Sequence, residues 1–327
     1  MHKTNRSQSL RGTAGGDQHH RGPTRCADEV TRQAVSGLPV AAKSTFLPGD
    51  GVQLHAVVAG AEEGPLAVLL HGFPECWYSW RHQIPVLAQA GYRVVVPDLR
   101  GYNLSDKPKG VENYQIDRLT GDVLALVRAL GRERAVVVGH DWGGAVAWRV
   151  AMDYPEVVDK LVVMNAPHPV ALAKAFKSSW HQRFRSWYML FFQIPWLPEA
   201  LLTLSPMATA RLFFRRVAVR REAFSDADLE VMATAMAQPG AMGCMVDWYR
   251  AGFRTKPAKR ASPIEAPTLL LWAEEDVALG KPLTYGLERW VPNLELHYVP
   301  RCGHWVQNEA PEEVNERMMA FLVTSRG

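Results

Sequence analysis

Asp141 stands in Gly139-His140-Asp141-Trp142-Gly143-Gly144, directly after an apolar run at 135–138. A buried strand, a turn too tight for side chains and a helix starting at once would hold one reactive group clear of a sheet, in the Gly-x-Nuc-x-Gly elbow. Serine at that centre attacks carboxylic esters. A carboxylate attacks a saturated carbon and becomes an alkyl ester. The same residues also suit an aspartate that caps a helix behind a buried strand.

Three helpers would make that carboxylate a catalyst: N–H donors for a developing oxyanion, a base for water, and an acid to hold the base. His71-Gly72-Phe73-Pro74 follows the apolar run 66–70, and the Phe73 N–H can point into a site; an ordinary tight turn with a cis proline has the same signature. The Trp142 N–H, at the start of the elbow helix, is the second donor. Trp272-Ala273-Glu274-Glu275-Asp276 follows another run, and any of its three acids could orient a histidine or stay solvated. Cys302-Gly303-His304-Trp305 follows the last run, with Gly303 giving His304 room to reach inward; a lone histidine there also fits a structural role.

Those residues need strand ends to carry them. Residues 44–59 alternate apolar and polar types around Gly49-Asp50-Gly51, a hairpin signal. Short apolar strands are predicted at 66–70, 93–97, 135–138, 158–164, 268–272 and 294–299. Helical spacing is predicted at 114–130, 281–290 and from Pro311 on. Strand and helix alternate, which argues for a parallel sheet with helices on both faces, opened by the hairpin. From 167 to 262 only helical spacing is found, so that segment is an insertion between two strands. Within it Ser225-x-x-Asp228 is a helix-start signal. Arg211-Leu212-Phe213-Phe214-Arg215-Arg216, continuing to Arg221, fits a solvated helix face better than a membrane contact.

Composition bounds the rest. The chain has 327 residues with a net charge of +4, but residues 1–43 hold seven Lys/Arg against three Asp/Glu. The body is therefore neutral and makes no case for nucleic acid. Residues 1–43 are poor in apolar types and are expected to be a disordered basic tail, without a secretory signal. No apolar run reaches the ~18–20 residues of a membrane span. Four cysteines without a CxxC pair argue against a disulfide framework and a zinc site, and suit the cytoplasm.

Over 44–322 the chain resembles the soluble epoxide hydrolases of the α/β-hydrolase fold. The resemblance rests on HGFPECWYSWRHQIPVLAQAGYRV (71–94), DLRGY (98–102), GHDWGG (139–144), DWYR (247–250) and GHW (303–305), and on the chain order nucleophile, acid, histidine. It implies a mostly parallel eight-stranded sheet with helices on both faces, a core at 44–166 and 263–327, and an all-helical cap at 167–262. It implies Asp141 as nucleophile, His304 as base and Asp276 as the acid that orients it. Phe73 and Trp142 would be the oxyanion amides, and Tyr188 and Tyr249 the donors to the epoxide oxygen. Trp142, Phe192, Gln193, Trp248 and Trp305 would contact substrate. Asn103 and Cys76 depart from the usual Gly and Ser, away from the chemistry.

The expected reaction is cofactor-free and metal-free hydrolysis of a small apolar epoxide by water to a vicinal diol. Haloalkane dehalogenases share the fold and the aspartate but need side-chain N–H donors for halide; Trp142 could be one and Trp187, Trp196 or Trp248 another, but Phe73 supplies none and the tyrosine pair has no role there. A catalytically silent binding protein on the same scaffold is a third reading. Sequence leaves the oligomeric state open, a homodimer included.

Overall fold

The computed structural model describes residues 27–254 and 263–323. β1 (Ala42–Pro48) and β2 (Gln53–Gly60) form the hairpin that Gly49-Asp50-Gly51 predicts, with Gly51 at a positive φ of 72°. The sheet continues with β3 (Leu66–Leu70), β4 (Arg93–Pro97), β5 (Ala135–His140), β6 (Val158–Met164), β7 (Thr268–Ala273) and β8 (Leu294–Val299). Its order is β1-β2-β4-β3-β5-β6-β7-β8, with β2 antiparallel to β4 and every later pair parallel. Each residue of β3, β5 and β7 is buried, which is why these strands read as continuous apolar runs and not as alternations.

Helices cover both faces. They are α1 (Ala27–Ser36), α2 (Gln83–Gln89), α3 (Ile116–Ala129) and α4 (Asp141–Asp153). α3 buries Leu119, Val123 and Val127 at the spacing the sequence shows. Between β6 and β7 the described chain holds helices and turns and no strand: α5 (Pro169–Ser178), α6 (Trp180–Arg185), α7 (Trp187–Phe191), α8 (Leu197–Thr203), α9 (Pro206–Ala210), a π turn at Arg211–Arg216, α10 (Asp226–Met236) and α11 (Ala241–Arg254). α10 starts on a reciprocal capping box between Ser225 and Asp228. Residues 255–262, where this cap would rejoin the core, lie outside the described residues. α12 (Val306–Glu309) and α13 (Pro311–Val323) close the fold.

Two expectations are corrected. Part of the stretch 1–43 is ordered: α1 buries Val30 and Val35 and packs on β1 and on cap helix α10, while 1–26 lie outside the described residues. Few apolar residues suffice there because the core and cap complete the contact. The helix expected over 281–290 is one 3-10 turn, Lys281–Thr284, followed by turns; Gly286, at a φ of 68°, interrupts it.

Candidate active site

Every core residue of the site hangs from the C-terminal end of a strand, where open α/β sheets place their ligands. Asp141 follows β5 and opens α4 at a φ of 49°, a left-handed conformation that costs a non-glycine residue energy and turns its side chain away from the helix. The close packing around it explains two glycines. A Cβ on Gly143 would lie 2.1 Å from the Leu70 carbonyl oxygen, and one on Gly72 would lie 2.5 Å from the Asp141 Cβ. Gly72 therefore lets the Phe73 amide approach, and that N–H donates to Asp141 Oδ1 at 2.8 Å. The Trp142 amide follows in the first turn of α4, where a helix has no internal acceptor for it.

His304, in the loop after β8, has its Nε2 3.6 Å from Asp141 Oδ2 and its Nδ1 2.7 Å from Asp276 Oδ2. Asp276, after β7, is fixed on all sides. Its Oδ2 also accepts from Asn165 Nδ2 at 2.6 Å, and its Oδ1 from the Ala278 and Leu279 amides at 2.7 and 2.9 Å. Of the three acids in that loop, this one alone is buried.

Electrostatics follow from these contacts. Burial opposes the charged form of Asp276, but His304, Asn165 and the Leu279 amide outweigh it and hold the carboxyl below its ordinary value. Asp141 is likewise held low against burial, by His304, His140 and the Phe73 amide. Burial works against a charged His304, yet Asp276 and Asp141 raise it well above 6.5. All three shifts run the same way: the contacts favour charged carboxylates on both sides of His304 and its protonated form between them.

The cap supplies the opposite wall. Tyr188 on α7 and Tyr249 on α11 stand edge to face, ring centroids 5.9 Å apart. Burial first, then the Asp141 charge, pushes both phenols above 10, so both keep their protons. They share one cavity of about 720 Å³ with Asp141, His304, Phe73, Phe192 and Trp305.

Three residues expected to contact substrate do not line that cavity. Trp248 is buried beneath Tyr102 and donates its indole N–H to the Arg100 carbonyl at 3.0 Å. The Gln193 amide is turned to the Met189 and Tyr249 carbonyls at 3.0 and 3.4 Å, so it holds the cap segments together. The Trp142 ring packs edge to face on Tyr249 at 5.1 Å, as a support for that phenol.

Sequence reasoning passed over Asn165, Glu75 and Glu309. Asn165, at a φ of 41° after β6, also accepts the Ala273 amide at 3.0 Å and so ties the Asp276 loop to β6. Buried Glu75 Oε2 accepts the Gly72 amide and faces His140 Nδ1, both at 2.8 Å; His140 Nε2 donates to the His304 carbonyl at 2.8 Å. Buried Glu309 accepts four amides, from Gly303 and Trp305 beside His304 and from Val219 and Arg220 of the cap. A signal existed for Glu75, which lies inside the quoted 71–94 motif. Asn103, where glycine is usual, sits at a φ of 40°, a conformation asparagine tolerates, and donates to Asp98 Oδ2 at 2.8 Å.

Comparison with known proteins agrees with this architecture. The alpha/beta hydrolase fold family matches residues 65–311. AB hydrolase superfamily protein YfhM of Bacillus subtilis (strain 168) is 41% identical over 86% of this chain and 98% of its own. Epoxide hydrolase 1 of Caenorhabditis elegans is 41% identical over 85% of this chain and 70% of its own. The crystal structure of Bacillus megaterium epoxide hydrolase with an inhibitor superposes with a TM-score of 0.79 at 30% identity, covering 85% of this chain and 99% of that one. With an aspartate on the elbow, a buried His–Asp pair behind it and a helical cap in front, the chain belongs to the epoxide hydrolases of the α/β-hydrolase fold.

Proposed function

We propose that this protein hydrolyses an apolar epoxide to a vicinal diol through an alkyl ester on Asp141. The observation that carries the reading is one cavity in which an amide-held carboxylate and two protonated phenols share a mostly apolar lining. Asp141 Oδ1 is engaged by Phe73, so Oδ2 is the oxygen that attacks a ring carbon as the C–O bond breaks. The departing oxygen takes a proton from Tyr188 or Tyr249, since a free alkoxide is a poor leaving group near neutral pH.

Ester formation removes the charge of Asp141, one of the two charges that raise His304. The imidazolium then passes its proton back to the phenolate that ring opening left, restoring the phenol, and the neutral imidazole becomes the base that the second step needs. It takes a proton from water; the hydroxide adds to the ester carbonyl, with the oxyanion on the Phe73 and Trp142 amides, each such donor contributing about 3–4 kcal/mol in comparable sites. Collapse breaks the bond from the carboxyl carbon to the alkyl oxygen, which takes the proton that the added hydroxyl carries, so the diol leaves with Asp141 again a carboxylate and His304 again an imidazolium. No step calls for a cofactor.

A single turnover in heavy-oxygen water with enzyme in excess tests the covalent step. Label is expected in the Asp141 carboxylate; label in the diol alone removes the ester from the scheme. A parallel assay with haloalkanes separates the neighbouring chemistry: halide release without diol formation from styrene, stilbene or fatty-acid epoxides would make the protein a dehalogenase. The apolar lining by two phenols, with the Trp142 indole turned onto Tyr249, favours the epoxide.

A further inference from the structure

The cap wraps the cavity but leaves its outer side unusually apolar. Trp180, Phe184, Trp187, Leu190, Trp196 and Leu204 are each 60% to 80% exposed. The first three recur at i, i+4 and i+7 across α6 and α7, the spacing by which a helix normally buries a stripe, yet here it faces solvent. Trp196 adds strain to exposure: it starts α8 at a φ of 54°, a backbone state that a bulky residue adopts at a cost. The strained residue is also 73% exposed. Phe184, Trp187 and Leu204 meet at the rim of one cavity, and large apolar side chains gathered and exposed in this way mark an interaction site.

Its charge identifies the partner. Residues 167–221 contain nine Lys/Arg and one Asp/Glu, Glu199, although the chain outside the first 43 residues is neutral. Glu199 is bound to Arg250, so it does not offset the excess. Arg215 and Arg220 are already engaged, Arg215 on the Phe224 carbonyl within the cap and Arg220 on the Glu309 carbonyl of the core. Lys174, Lys177, Arg183, Arg211 and Arg216 remain exposed in the same segments, with the Arg183 guanidinium over the Trp180 ring at 4.8 Å. Exposed Trp, Phe and Leu interleaved with Lys and Arg are what an anionic lipid interface accepts, the rings entering the headgroup level and the cations meeting lipid phosphates. No described helix is long and apolar enough to cross a membrane, so the contact is peripheral.

We infer that this face of the cap docks on anionic phospholipid bilayers and opens the cavity toward the lipid. Phe184, Trp187 and Leu204 belong both to the exposed face and to the cavity wall that leads to Asp141, so an apolar substrate dissolved in a bilayer could enter without crossing water. The delivery of substrate rests on the epoxide reading above; the docking does not.

The test uses the full chain and co-flotation with vesicles of phosphatidylcholine alone or mixed with phosphatidylserine. Two double variants avoid the cavity wall: Trp180→Ser with Trp196→Ser, and Lys174→Glu with Lys177→Glu. Wild type should bind the mixed vesicles and bind plain ones weakly. The charge-reversed pair should bind about tenfold or more weakly, from the usual contribution of each basic residue near an anionic surface. Both variants should keep wild-type turnover of dissolved styrene oxide while losing turnover of an epoxide held in the mixed vesicles. Absence of wild-type binding, or binding that neither double variant weakens, overturns the proposal. So does sedimentation showing a dimer that Trp180→Ser with Trp196→Ser dissociates, which would give the face to a second copy. Turnover of styrene oxide by wild type is read separately, so failure of the activity and failure of docking are told apart.

Discussion

The two walls of the cavity hold their reactive groups by opposite means. On the core side the carboxylates and the imidazole are fixed by short hydrogen bonds from loops at strand ends, and Asp276 alone receives four. On the cap side Tyr188 and Tyr249 stand among Phe73, Phe192 and Trp142, positioned by ring contacts. The core environment stabilises charge and the cap environment refuses it. Hence Asp141 is an anion and the phenols are acids at the same pH, within one chamber. The reaction proposed needs both, a nucleophile and a proton donor that do not neutralise each other.

The comparison can be broken most severely from the core. Asp141→Ala should lower kcat/KM for an epoxide by about 10⁴-fold or more, as loss of a nucleophile does elsewhere; retained diol formation would move the chemistry off the elbow. From the cap, Tyr188→Phe combined with Tyr249→Phe should cost about 10²–10⁴-fold, the usual worth of general acid catalysis, with either single change costing less. Pre-steady-state kinetics should place that loss in the alkylation step, and a double variant as fast as wild type would reduce the cap to a shape filter.

Much of the core wall was legible in the chain and much of the cap wall was not. Asp141, Asp276 and His304 each follow an apolar run, and the glycines around Asp141 mark the close approach that the elbow requires. Adjacent positions on a helix point about 100° apart, so nothing local tells that Tyr249 meets the cavity while Trp248 turns to Arg100. Gln193 misleads for the same reason. Asn165 and Glu309 stay silent because their partners are backbone amides far off in sequence, which no motif spells. The helix at Ala27–Ser36 is hidden by the polar residues averaged with it, and forms where β1 and α10 give its valines a surface.

Smaller effects sharpen the contrast. His304 is held above its ordinary 6.5, so its share of stability is full below that pH and is lost as the pH rises through the raised folded value. Asp276, held below 3.8, contributes above that pH and loses its share as the pH falls through the lowered folded value. Melting temperatures measured across pH should therefore decline on the alkaline side in wild type and flatten there in His304→Gln; an unchanged slope would mean that the pair is not coupled as described. The mildest change is Glu309→Gln, which weakens the acceptor for four amides and should cost about 1–3 kcal/mol in urea unfolding. A loss below that range would make the Glu309 tie between cap and His304 loop dispensable.

The central claim is that Asp141 bonds to carbon and His304 sets it free. Intact-protein and peptide mass spectrometry of His304→Gln mixed with an epoxide addresses it most directly. An adduct equal to the whole substrate mass is expected on Asp141, persisting while diol is scarcely released. Steady diol production by that variant with no adduct, or an adduct on another residue, would contradict it.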